Sequence, residues 1–404
     1  MALRLPHGKP VAMGLLLAVV AGCTSTDTSA PLSTAAGGTP PAAQAARADS
    51  MSRVEGATAV DAGPDGRVYD LAVDPAGNPV VLIVDEQGAL TVDRPRLGDQ
   101  DNASWTRQSL DNLRSRPGVG SIAVGPEGDL FVAGSDGEGL LLARIDSTGA
   151  VTTTQLVEGL RLSTVTDVTT ALAPEGDVLY LAYAAYGGGV RTPVLQAVDT
   201  GTGEVIADAE LVSGISGAIT PTQIVVSPSG DRVFVAMQVG SGADGNRQTA
   251  TLQRLTGELE PRGEVPLVHG EILSRAAQLV AGADDSAYAT LIVGDVGVPG
   301  TEVRLVAAPA AAVAATAVAS FPDLDDVAAL AVDSSGGWAY LGGLANLPDP
   351  LALTITPVDL RTGQSRGAIQ LCARGELVQV ARDDLLSRPR FALNKKRCRG
   401  VGHI

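Results

Sequence analysis

The chain has 404 residues, 45% of them hydrophobic but only 3% aromatic, with 48 Gly and 24 Pro. A core of that apolar content must be filled by Val, Ala and Leu and interrupted by many turns. The net charge of −16 opposes polyanionic ligands, because nucleic-acid binders neutralise phosphates with clustered Lys and Arg, so no nucleic-acid partner is expected.

The first 22 residues are expected to be a signal peptide. Arg4 and Lys9 form a positive n-region, and Val11 to Val20 is an apolar run of ten residues. A bilayer span needs about 20, so the run suits a signal-peptide h-region. It ends in Val20-Ala21-Gly22-Cys23, which resembles a bacterial lipoprotein lipobox. Small residues fit a narrow peptidase site, and the thiol is the nucleophile that carries a thioether-linked lipid. The resemblance implies lipidation at Cys23, with the mature protein on the extracytoplasmic face of the cell membrane. Residues 23–50 are rich in Ser, Thr, Ala and Pro and bury too little to fold. They are expected to form a disordered tether spanning about 30 Å as a flexible coil.

Residues 51–404 repeat one phrase. Its instances are DLAVDPAGNPVVLI, SIAVGPEGDLFVAG, TTALAPEGDVLYLA, QIVVSPSGDRVFVA, QLVAGADDSAYATL and ALAVDSSGGWAYLG. The turn positions are Gly77, Gly128, Gly176, Gly230, Asp285 and Gly336, spaced 48 to 55 residues apart. Each phrase reads as strand, tight turn, strand. The apolar triplet before the turn suits a strand buried on both faces, and Pro, Gly and Asp supply the turn. Two further strands follow, as in GLLLARID and AVTTTQLV around Ser147-Thr148-Gly149. Four strands per repeat at this period predict an all-β propeller.

The phrase resembles the repeat of YVTN-type β-propellers, whose blades carry a V-S-P-D-G-x-x-V-Y-V core. Gln223 to Met237 is similar, with Ser229 and Phe234 as departures, while the fifth repeat departs furthest at Ala283 and Asp285. The resemblance implies a fold, not an activity. Six repeats are plain. A seventh blade is favoured over six, with its turn near Asp384 in the segment from Glu376 to Gly400 and its outer strand supplied by Ser52 to Val60. With Cys23 lipidated, Cys372 and Cys398 remain, and a disulfide between them is expected in an oxidising compartment.

Catalytic equipment is sparse. His7 leaves with the signal and His403 lies in the tail, so His269 is the one histidine of the body. No G-x-S-x-G elbow, H-E-x-x-H or zinc-spaced cysteine pair occurs, and no cofactor or metal is expected. Calcium in the acidic loops stays open, although no spacing matches a calcium loop. Gly240 to Gly245 fits G-x-G-x-x-G, but a strand-like run follows where a dinucleotide site needs a helix. Two tryptophans are too few for a quinoprotein signature.

In a propeller the loops between the second and third strands share one rim with the blade-to-blade connections, where function gathers. Asp136, Glu138, Arg191, Asp244, Asn246, Arg247, His269, Asp295 and Asp349 are the candidate ligand rim. A second ring starts the inner strands: Asp70, Ser121, Thr169, Gln223, Gln278 and Ala329. It is uncharged except for Asp70, which argues against a multi-carboxylate metal site on the axis. A basic cluster from Arg388 to Arg399 is expected to be a solvated last strand. The expected function is a lipid-anchored binding module at the bacterial surface, its partner an envelope protein, glycan or small ligand. The alternative is a propeller-type hydrolase, lactonase or lyase with a site on the loop rim.

Overall fold

The computed structural model describes residues 67–393, except 76–78, 86, 96–104, 115–119, 136–138, 159–164, 188–189, 216, 242–246, 269–272, 295–301, 323, 334–335, 346–351, 367–368, 373–376 and 384–387. The signal peptide, the tether, the Ser52–Val60 strand, Cys23 and Cys398 lie outside the described residues.

The chain is an all-β propeller. The first blade is β1 (Arg67–Val73), β2 (Pro79–Val84), β3 (Ala89–Pro95) and β4 (Trp105–Arg114). The second is β5 (Ser121–Val124), β6 (Leu130–Ser135), β7 (Gly139–Ile145) and β8 (Val151–Glu158). The third is β9 (Val165–Leu172), β10 (Val178–Gly187), β11 (Val190–Asp199) and β12 (Val205–Glu210). The fourth is β13 (Ala218–Val226), β14 (Arg232–Ser241), β15 (Arg247–Thr256) and β16 (Pro261–Pro266). The fifth is β17 (Leu273–Ala281), β18 (Ala287–Gly294), β19 (Glu302–Ala308) and β20 (Thr316–Phe321). The sixth is β21 (Leu324–Val332), β22 (Trp338–Ala345), β23 (Ala352–Asp359) and β24 (Ile369–Cys372). A hairpin, β25 (Leu377–Asp383) and β26 (Arg388–Leu393), makes the seventh.

Neighbouring inner strands pack in the order β1, β5, β9, β13, β17, β21 and β25, and β25 packs against β1. The ring therefore closes at seven, as the spacing past Gly336 predicts. Closure of this kind removes the open edge that would otherwise pair with another chain.

The turn after the inner strand is the same device in the second to sixth blades. The Gly128 N–H donates to Gly125 O, Gly176 to Ala173, Gly230 to Ser227 and Gly336 to Asp333. These glycines have φ between +66° and +85°, a region that L side chains enter at a cost. In the fifth blade Asp285 takes the same place at φ +57°, and its N–H donates to Gly282 O. Aspartate tolerates this conformation better than most residues, which explains how the most divergent repeat keeps the turn.

The core lies between blades. Side chains alternate faces along a strand, so the second strand of each blade supplies two interfaces. Leu130 and Val132 pack with Leu82 and Leu90 of the first blade. Phe131 and Ala133 pack with Leu179 and Leu181 of the third. The same division recurs around the ring, with Tyr180 facing the fourth blade, Phe234 the fifth and Tyr288 the sixth. The apolar runs before and after each turn are continuous because both faces are buried. Outer strands are more exposed, and β12 buries none of its residues.

Candidate functional site

The connections between second and third strands, and those between blades, leave the propeller at the same end. Asp136 and Glu138 lie between β6 and β7, Asp244 and Asn246 between β14 and β15, Asp295 between β18 and β19, Asp349 between β22 and β23, and His269 between β16 and β17. All of these lie outside the described residues. Arg191 is the second residue of β11, half-buried and opposite Tyr186. Arg247 opens β15 opposite Ser241. The strand from Arg247 to Thr256 replaces the helix that a dinucleotide fingerprint at Gly240 to Gly245 would require.

Inside the rim the inner strands are bent. Register shifts immediately precede Asp70 in β1, Thr169 in β9, Gln223 in β13, Gln278 in β17 and Ala329 in β21. A bulge adds a residue and re-aims the side chains beside it. No glycine marks these places, so they leave no trace in the repeat pattern. At the fourth-blade bulge the Thr222 hydroxyl donates to Ala236 O at 3.1 Å.

The ring expected from the repeats is partly a bonded network. Asp70 Oδ2 accepts from the Ser121 hydroxyl and from the Ile122 N–H, each at 2.9 Å. Ser121 Oγ accepts from the Thr170 N–H at 3.2 Å and lies 2.9 Å from Thr170 Oγ1. A serine hydroxyl has one donor and two lone pairs, so this one is saturated. The Thr170 N–H reaches Ser121 Oγ as the Ile122 N–H reaches Asp70 Oδ2, one residue past the aligned ring position in each blade.

The opposite end carries the turns. A cavity of about 270 Å³ opens there between the first and second blades, lined by Asp74, Arg94, Glu127, Leu130 and Ser147 among others. Burial pulls the Arg94 guanidinium below its ordinary value, while Asp74, Asp129 and Asp146 oppose that shift. Around this end the second, third and fourth blades each grip the next through a backbone carbonyl. Arg144 donates to Thr200 O at 3.2 Å and Tyr180 to Gly257 O at 2.9 Å. Arg254 donates to Ala310 O at 2.8 Å. Each acceptor is the second residue of the turn between third and fourth strands. At Tyr180 the aromatic's own hydroxyl makes the bond. Where the aromatic is Phe131 or Phe234, the arginine opposite it does.

Among the described residues no three His, Cys, Asp or Glu side chains gather as a metal site would require. No family model matches the chain, and no curated protein matches it. Solved structures do resemble it. A hydrazine synthase of Kuenenia stuttgartiensis is 14% identical, with a TM-score of 0.53 over 78% of this chain and 89% of that one. An oligogalacturonate lyase in complex with manganese is 13% identical, with a TM-score of 0.50 over 81% and 88%. A puromycin hydrolase is 14% identical, with a TM-score of 0.51 over 79% of this chain and 49% of that one. At these identities the likeness is one of fold.

Proposed function

We propose that the chain is a lipid-anchored, extracytoplasmic binding module that presents the loop rim of its propeller to an envelope protein, glycan or small ligand at the bacterial surface. The signal-like N-terminus ending in Cys23 and the tether after it support the address. The observation that carries the binding reading is the Asp70 network. The Asp70 carboxylate of the inner ring is engaged by Ser121 and Ile122, which gives it a role in joining the first and second blades. Rim loops on a rigid scaffold suit recognition.

The test is a photo-crosslinker at Asp244 in the full chain within its envelope, compared with one at Thr153 on the outer strand β8. A discrete adduct from the rim position alone is the expected result. Equal labelling from both positions would discard the rim as a docking surface. The anchor is checked separately, since Cys23→Ser should move the protein from the detergent phase to the aqueous phase. The Cys372–Cys398 disulfide belongs to the same reading, and two free thiols in the non-reduced, unfolded protein would exclude it.

The second reading is a propeller-type hydrolase, lactonase or lyase. It is favoured by the fold shared with the oligogalacturonate lyase and the puromycin hydrolase. His269→Ala separates the two readings, because a histidine-dependent activity disappears with it and a binding surface made by the other loops does not.

A further inference from the structure

The second and fourth blades are built alike up to one residue. Phe131 stands opposite Arg144, and Leu130 opposite Ile145. Phe234 stands opposite Arg254, and Val233 opposite Leu255. The residue before Leu130 is Asp129, which pairs with Arg144. The residue before Val233 is Arg232. Where one blade neutralises its gripping arginine with a carboxylate, the other sets a second guanidinium beside it.

Both guanidinium groups converge on one neutral acceptor. Arg232 Nη1 donates to Ala310 O at 2.9 Å and Arg254 Nη1 to the same oxygen at 2.8 Å. Arg254 is only 8% exposed, and its Nε is buried without a hydrogen-bond partner. Among the described residues neither arginine is ion-paired to a carboxylate. Burial, and then the charge of Arg232, lower the affinity of Arg254 for its proton. Arg232 is half-buried and reaches solvent. Gly263 lies opposite Arg254, and a Cβ placed there would come to 3.9 Å from Arg254 Nη2.

Two like charges held together beside an unpaired buried donor are unfavourable unless an anion completes them. Guanidinium forks match the oxygens of phosphate in pairs. We infer that Arg232 and Arg254, at the turn end between the fourth and fifth blades, form a binding site for a dianionic phosphate group. The net charge of −16 repels anions at long range, so affinity comes from these two groups at short range. The site lies at the end opposite the loop rim, and its failure would leave the rim reading untouched.

The experiment is calorimetric titration of the full-length chain in detergent micelles with inorganic phosphate, methyl phosphate and acetate, at ionic strength matched with sodium chloride. Saturable phosphate binding is expected, weakened about tenfold or more in Arg232→Gln, the loss of one charge-assisted pair. Arg232→Asp rebuilds the arrangement of Asp129 and Arg144, so it should abolish phosphate binding and raise Tm without added anion. That gain separates a lost site from a damaged fold. Binding of both phosphates supports a phosphomonoester ligand, and binding of inorganic phosphate alone supports the free ion. Acetate binding as tightly as phosphate, phosphate heat no greater than the chloride control, or unchanged affinity in Arg232→Asp would each overturn the proposal.

Discussion

Asp70 and Ser121, on the inner strands of adjacent blades, share a hydrogen bond of 2.9 Å, and the same serine oxygen reaches Thr170 on the next blade. One side chain thus ties three blades near the axis. Ser121→Ala removes the bond to Asp70 and strands the Thr170 N–H. The expected loss is about 1–3 kcal/mol, the cost of leaving partly buried polar groups unsatisfied. Urea unfolding followed by tryptophan fluorescence would measure it, and a change within about 0.5 kcal/mol, usual for a surface substitution, would contradict the network's role.

The carbonyl grips predict a ranking. Tyr180→Phe keeps the ring and deletes only the bond to Gly257 O, for a loss of about 1 kcal/mol. Arg144→Met deletes the bond to Thr200 O and also leaves Asp129, whose side chain is 13% exposed, without its cation. An uncompensated carboxylate is costlier than a lost neutral bond. The arginine variant should therefore unfold at lower urea than the tyrosine variant, and the reverse order would refute the equivalence of the two grips.

Gly128 and Gly176 occupy the same turn position at φ +85° and +80°, yet their surroundings differ. A Cβ on Gly128 meets nothing within 4 Å, whereas one on Gly176 comes to 2.4 Å from Pro126 Cδ in the preceding blade. Gly128→Ala should cost only the backbone term, about 1–2 kcal/mol. Gly176→Ala should cost more, because a neighbouring turn must shift as well. Asp285→Gly works in the opposite direction and should stabilise by about 0.5–1 kcal/mol by relieving the left-handed strain. Thermal melts of the three variants order these effects directly.

The bladed plan was legible because a turn requiring a positive φ leaves a glycine or an aspartate at a fixed place in the second to sixth blades. The alternation that divides Leu130 from Phe131 between two interfaces was legible only as an apolar run, since a strand buried on both faces shows no period. The bulges were invisible. They arise from how the inner strands bend towards the axis, and Thr222 or Ala277 in the bulge looks like any other strand residue. The gripping arginines needed the register as well: Arg144 and Arg254 become equivalent only once Phe131 and Phe234 are seen opposite them. The rim residues were chosen by loop position, and only Arg191 and Arg247 fall on described strands.

Tyr183 makes the last prediction. It is buried between the second and third blades, and burial, aided by the Asp208 charge, pushes its hydroxyl up to about 12 from an ordinary 10.0. A raised value in the folded state means that the folded protein holds this proton more tightly than the unfolded chain. The stabilisation is complete below pH 10.0 and is lost as pH rises towards about 12. The loss from this residue is on the order of 3 kcal/mol, because a tenfold change in proton affinity corresponds to about 1.4 kcal/mol. Tyr180, Tyr288 and Tyr340 are raised in the same direction, chiefly by burial, so they add to the decline above pH 10.0. Urea unfolding across this range should show falling stability, with tyrosinate absorbance appearing only as the fold is lost. Tyr183→Phe should flatten part of the slope. A profile equally steep in the variant would mean that this phenol titrates freely in the native state and that the interface around it admits water.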